Sequence, residues 1–198
     1  MTTENIFPDF TKSISRAEKE NRLGQKGLVI WMTGLSGSGK TTLALALEKE
    51  LFSMGRFAMI LDGDNIRSGI NNNLGFTEEE RKENIRRIAE VSKLFATAGI
   101  ITIAAFISPT VEIRQMARGI IGEKDYFEVY INTPIEVCEE RDVKGLYEKA
   151  RKGEISNFTG ISSPYDDPLN PDIIINTSGK AVDECISRIV DKMQERIK

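Results

Sequence analysis

No histidine occurs among the 198 residues, so a general base in this chain has to be a carboxylate, a lysine, a tyrosine or a cysteine. Only two cysteines are present, Cys138 and Cys185, both on predicted helices; that excludes a disulfide framework or a cysteine-rich zinc site and suits a reducing cytoplasm. Basic residues do not exceed acidic ones, since 27 Lys and Arg stand against 30 Asp and Glu, and the cations are dispersed. The summed field therefore favours neither nucleic acid nor an anionic membrane as partner. No uncharged apolar run approaches spanning length, and the first thirty residues contain no apolar export core. What remains is enough apolar residues, 40%, to bury one sizeable core.

The chain is organised around Gly34-Leu35-Ser36-Gly37-Ser38-Gly39-Lys40-Thr41, which follows the apolar run Leu28-Val29-Ile30-Trp31-Met32 and precedes the helical Thr42-Leu43-Ala44-Leu45. In a strand, loop and helix, glycines let successive backbone N–H groups face a phosphate, and the helix N-terminus points its positive end at the same place. Lys40 supplies a cation for the terminal phosphates, and the Thr41 hydroxyl a ligand for Mg²⁺.

The remaining pattern alternates. Residues 28–33, 57–61, 100–106, 127–132 and 173–176 read as short buried strands, and helices are predicted between them. Thr77 and Glu80 open a long helix to about Ala98; Thr133, as N-cap, with Pro134 and Glu136 opens another. A closing helix carries a buried stripe of Val182, Ile186, Ile189, Val190, Met193 and Ile197. This is a doubly wound α/β domain of about five parallel strands, and its ligands belong at the carboxyl ends of those strands. Residues 1–26 form an N-terminal arm, residues 27–198 the domain, and residues 141–171, polar and rich in Gly, Ser and Pro, a flap.

Asp62 and Asp64 are the carboxylates at the central strand ends; the third strand ends Phe106-Ile107-Ser108 without one. That pair has to serve a metal, an acceptor hydroxyl, or both, unless it is only an Asp-Gly-Asp turn. Arg67 and Arg81 suit an anionic acceptor, whereas Arg86 and Arg87 read as solvated helix-face residues. Phe76, in a glycine-rich loop, offers a stacking face for a nucleobase. Closing the cationic flap over a bound nucleotide would exclude water from the transfer.

These motifs, in this order, closely resemble the adenylylsulfate (APS) kinases. The match runs through Lys26-Gly27, residues 31–42, Leu61-Asp62-Gly63-Asp64-Asn65-Ile66-Arg67, Asn73-Leu74-Gly75-Phe76, residues 81–87 and Phe106-Ile107-Ser108-Pro109, and on through residues 138–147 and Phe158-Thr159-Gly160-Ile161. The resemblance implies a P-loop kinase-like, three-layer α/β/α fold and transfer of the γ-phosphate of ATP, with Mg²⁺, to the 3′-hydroxyl of adenosine 5′-phosphosulfate. It implies Asp64 as catalytic carboxylate with Asp62 ordering the metal, and Gly34 to Thr42 and Arg141 against ATP. It places Arg67, Phe76, Arg81, Asn84, Ile107, Lys144 and Phe158 around APS, with Phe76 and Phe158 sandwiching its adenine. Ser108 matches a serine that carries a phosphoryl group in some members, and the family pattern implies a homodimer. The chain departs from that pattern at Thr110, Ser162 and Asp166, where tyrosine, aspartate and glutamate are usual. A kinase for a nucleoside monophosphate or a sugar acid, or a nucleotide-driven switch, are the competing readings; the switch lacks a water-positioning residue at the third strand's end.

Overall fold

Six consecutive buried residues, Leu28–Thr33, form β1, the central strand of the sheet in the computed structural model. The structure describes residues 13–142 and 144–198; the first twelve residues of the expected arm and Val143 of the expected flap lie outside them. β1 is preceded by helix α1, Arg16–Leu23, opened by the Ser15/Glu18 capping box, and followed by α2, Lys40–Ser53. Next come β2, Ala58–Asp62, the short α3, Gly63–Ser68, and α4, Glu78–Thr97, which the predicted Thr77/Glu80 capping box opens. β3, Ile101–Ala105, leads to α5, Val111–Ile121, and β4, Tyr126–Ile131, to α6, Ile135–Arg141. A second short helix, α7, Leu146–Arg151, precedes β5, Ile173–Ile175, and α8, Val182–Ile197, closes the fold.

All five strands are parallel, in the order β2-β3-β1-β4-β5. Alternation along each strand sends one set of side chains to each face. Leu28, Ile30, Met32, Ile103 and Val129 pack with Leu43, Leu47 and Leu51 of α2 and Ile189 and Met193 of α8. Val29, Trp31, Ala104 and Tyr126 pack with Ile85 and Ile88 of α4 and Ile113 and Ala117 of α5. Helices thus cover both faces of the central strands, and β1 and β3 read as unbroken apolar runs for that reason, whereas the expected burial of the edge strands is only partial, with Met59 of β2 and Ile174 of β5 exposed. The predicted three-layer α/β/α architecture is the observed one.

Three local expectations shift. The N-cap of α6 is Pro134, one residue later than predicted, because the Thr133 hydroxyl is used elsewhere: it donates to the Ser38 carbonyl at 3.0 Å. In α8, Val182 is 38% exposed and Cys185 takes a place in the buried stripe. Within residues 141–171 the Asp142 carboxylate accepts from the N–H groups of Leu146, Tyr147 and Glu148, so part of the flap is the helix α7.

Candidate active site

Between β1 and α2 the phosphate loop turns beneath α6. Gly37 there has φ +72° and a β-carbon on it would meet the Cys138 carbonyl at 2.8 Å, so the loop's tight approach requires glycine. Lys40 folds back over the loop, donating to the carbonyls of Gly34 at 2.9 Å and Leu35 at 2.7 Å. Burial pushes its ammonium down to about 8, although Asp62 and Asp64 nearby pull the other way. The loop is held from outside by Arg141, which the sequence reading placed against ATP, and by Thr177 and Tyr147, which it did not assign. Thr177 donates to Ser38 O at 2.9 Å, and Tyr147 of α7 donates to Ser36 O at 2.9 Å. Arg141 reaches the Gly37 carbonyl at 3.2 Å and the Thr177 hydroxyl at 2.9 Å.

At the end of β2 the two aspartates diverge. Asp62 is buried; its Oδ2 accepts from the Thr41 hydroxyl at 2.8 Å and its Oδ1 caps the Asp64 N–H at 3.1 Å, which starts α3. Asp64, two residues on and inside the first turn of α3, is exposed and paired with Lys144 of the flap. The hydroxyl of Thr41 and the carboxylate of Asp62 are hard oxygen donors that fit a divalent cation. Among the described residues there is no cluster of three or more His, Cys, Asp or Glu side chains able to hold one, so nucleotide phosphates would have to complete its shell.

Across the cleft stand the acceptor-side candidates. Arg67, half-buried, donates to the carbonyls of Leu74 at 3.2 Å and Gly75 at 2.7 Å, and lies 4.4 Å from the centroid of the exposed Phe76 ring. Arg81 lies 5.7 Å from the same centroid and donates to Phe76 O at 2.9 Å, Asn157 O at 2.5 Å and Thr159 Oγ1 at 3.2 Å. Burial, with the Arg67 charge adding to it, lowers the pKa of Arg81, so an anion between the two guanidiniums would be welcomed by both. Asn84 is buried, and its Oδ1 accepts from Asn71 at 2.9 Å, leaving its Nδ2 as the free donor. Arg86 and Arg87 instead pair with Glu83 on their own helix, as the helix-face reading expected.

Phosphate loop, aspartates and arginines line one cleft of about 500 Å³, together with Ile107, Ser108, Arg141 and Lys144. Phe158 is not in that lining: its ring packs edge-on to Tyr147, with centroids 4.9 Å apart. Ser108 is in the lining, but it is buried and its hydroxyl accepts from Trp31 Nε1 at 3.0 Å. A second hollow of about 600 Å³, lined by Leu35 of the phosphate loop, Tyr130, Thr133 and residues 160–165, has no lysine or arginine in its wall.

Comparisons with known proteins agree with one another. A family model described as adenylylsulphate kinase matches residues 26–176. An adenylyl-sulfate kinase of Phocaeicola vulgatus is 59% identical over 191 residues, 96% of this chain and 94% of that protein. One from Clostridium acetobutylicum is 56% identical over 191 residues, again 96% of this chain and 94% of the relative. Among solved structures, the APS kinase of Mycobacterium tuberculosis in complex with AMPPNP and APS superposes with a TM-score of 0.82 at 44% identity, covering 85% of this chain and 98% of that one. With sequence and fold agreeing over nearly the full length of such relatives, this chain belongs to the adenylylsulphate kinase family.

Proposed function

We propose that the protein transfers the γ-phosphate of MgATP to the 3′-hydroxyl of adenosine 5′-phosphosulfate, yielding PAPS and ADP for sulfate activation. The observation that carries this reading is the single cleft in which Lys40 and Thr41, Asp64, and the Arg67–Phe76–Arg81 group face one another. Residues 34–42 and Arg141 take the triphosphate and donor nucleotide. Phe76, Arg67, Arg81, Asn84, Lys144 and the backbone at Ile107 take APS, and Phe158 supports the flap side of that pocket through Tyr147.

Asp64 accepts the 3′-hydroxyl proton as that oxygen bonds to the γ-phosphorus and the bond to the ADP oxygen breaks. Lys144 first has to leave Asp64, and the charge of the incoming acceptor draws it away. Lys40 stabilises charge on the transferring group. Family membership implies a divalent metal with ATP; as Mg²⁺ it would be held by Thr41 and Asp62, with Asp64 alongside, and would neutralise phosphate charge. Ser108 is read as a loop anchor through Trp31, since phosphorylating it would require that buried hydroxyl to come out. The domain is read as starting at Gly27, with the described residues 13–26 before it, and with the flap in the stretch that includes α7. A homodimer follows from the family pattern, and a cytoplasmic location from the two free, buried cysteines.

The test is ADP release from MgATP with APS, AMP, gluconate or no acceptor. Stimulation by APS alone is expected; equal turnover without an acceptor would overturn the reading.

A further inference from the structure

The proposed reaction leaves one fully buried cation unused. Arg114 of α5 is 4% exposed, and its Nε lies 3.5 Å from Glu128, a buried carboxylate in the middle of β4. Its two terminal nitrogens fork away from that pair. One donates to the Ser108 carbonyl at 2.7 Å, the other to the Asp166 carbonyl at 2.6 Å. Ser108 belongs to the loop after β3 that lines the cleft, and Asp166 to the segment that runs on from Phe158.

Weaker ties run beside this fork. Asp166 N donates to Pro109 O at 2.8 Å; the Tyr165 hydroxyl lies 2.9 Å from Thr33 Oγ1, which donates to Ile107 O at 2.6 Å. Ser108 itself has φ +45°, a conformation that a non-glycine residue keeps only when its surroundings hold it. A buried ion pair is a poor device for stability alone, since apolar packing of the same volume serves as well or better. What an apolar side chain could not supply is the fork between two carbonyls on different loops.

We infer that Arg114 is a positioning residue for the acceptor: by joining the loop at 106–109 to the segment at 158–167, it sets the geometry of the wall that APS binds against. It lines no part of the cleft. Glu128 holds the guanidinium in the orientation that makes the fork. The inference rests on the APS reading above.

The test is initial-rate kinetics with each substrate varied at saturating levels of the other, beside thermal midpoints. Arg114→Lys keeps the charge against Glu128 but loses the fork. It should raise KM for APS about tenfold or more and leave KM for ATP within about twofold. Tyr165→Phe, removing only the hydroxyl tie, should raise KM for APS about threefold. Equal rises in both KM values, or a fall in thermal midpoint with neither KM changed, would make Arg114 a core residue only. Should Arg114→Lys not fold, Tyr165→Phe decides, and an unchanged KM for APS overturns the inference. A wild-type protein whose ADP release ignores APS overturns the APS reading and this inference with it; APS-dependent wild-type activity with unselective variants overturns the inference alone.

Discussion

At the residue scale, Asp62 and Asp64 show how a two-residue offset separates structure from chemistry. Asp62 is buried and spends its oxygens on Thr41 and the start of α3, whereas exposed Asp64 is tied only to a mobile type of partner, a lysine. Asp64→Asn should therefore leave the KM for ATP near wild type and lower kcat about a hundredfold or more, the usual scale for loss of a general base. Steady-state kinetics check it, and near-normal turnover would remove Asp64 from that role. Lys40 makes a second prediction. Its protonated form binds phosphate, and its pKa in the free enzyme is lowered to about 8, so that form is depleted as pH rises through 8. The pH profile of kcat/KM for ATP, which reports the free enzyme, should be level below about pH 7 and fall above pH 8; a profile flat to pH 9.5 would contradict it. The side chains at the three departures from the family pattern each accept from a backbone N–H group. Thr110 accepts from Ile113 N at 3.3 Å, Asp166 from Val111 N at 3.3 Å, and Ser162 from Phe158 N at 2.9 Å. Short polar side chains do this well, and no sequence motif distinguishes a cap in a loop from an ordinary solvated residue.

At the scale of elements, long periodic segments were legible and short polar ones were not. The capping box and apolar spacing of α4 located its ends to within a residue or so. By contrast α3 has six residues and buries none of them; it exists because Asp62 caps it. The helix α7 buries only Tyr147 and Ala150, too few to make a stripe, and its start depends on the Asp142 carboxylate meeting three N–H groups. Yet α7 connects both halves of the site, since Tyr147 bonds Ser36 O and touches Phe158. Tyr147→Phe keeps the ring contact and removes one partly buried hydrogen bond, worth about 1 kcal/mol. It should raise KM for ATP about fivefold and leave KM for APS unchanged. Equal effects on both would mean that α7 acts on the whole flap rather than on the phosphate loop.

At the scale of the molecule, the unbroken apolar strands β1 and β3, set between helical stripes, carried the architecture, because parallel strands buried on both faces have few other solutions. The sequence patterns were silent about Glu128, a charge inside a buried strand that reads only as an interruption until Arg114 and Arg118 are brought to it across the sheet. The same layered plan separates the end that does chemistry from the end that holds the fold. α1 lies at the opening ends of the strands, where Arg16 forks onto Asp125, donates to Glu20 at 2.7 Å and reaches the Gly27 carbonyl at 3.0 Å, just before β1. The phosphate loop leaves the other end of β1, about 20 Å away at roughly 3.3 Å per residue. Arg16→Ala should thus cost about 1–2 kcal/mol from a partly exposed, hydrogen-bonded ion pair. At roughly 2–4 °C per kcal/mol for a chain of this size, the thermal midpoint should fall by about 2–8 °C. Both KM values should stay within experimental error, because the partners of Arg16, namely Glu20, Gly27 and Asp125, do not line the cleft. Asp64→Asn should behave in the opposite sense, losing turnover with no loss of midpoint. If Arg16→Ala instead weakened either nucleotide, the two ends of the sheet would be coupled, and the division of labour along the strands would fail.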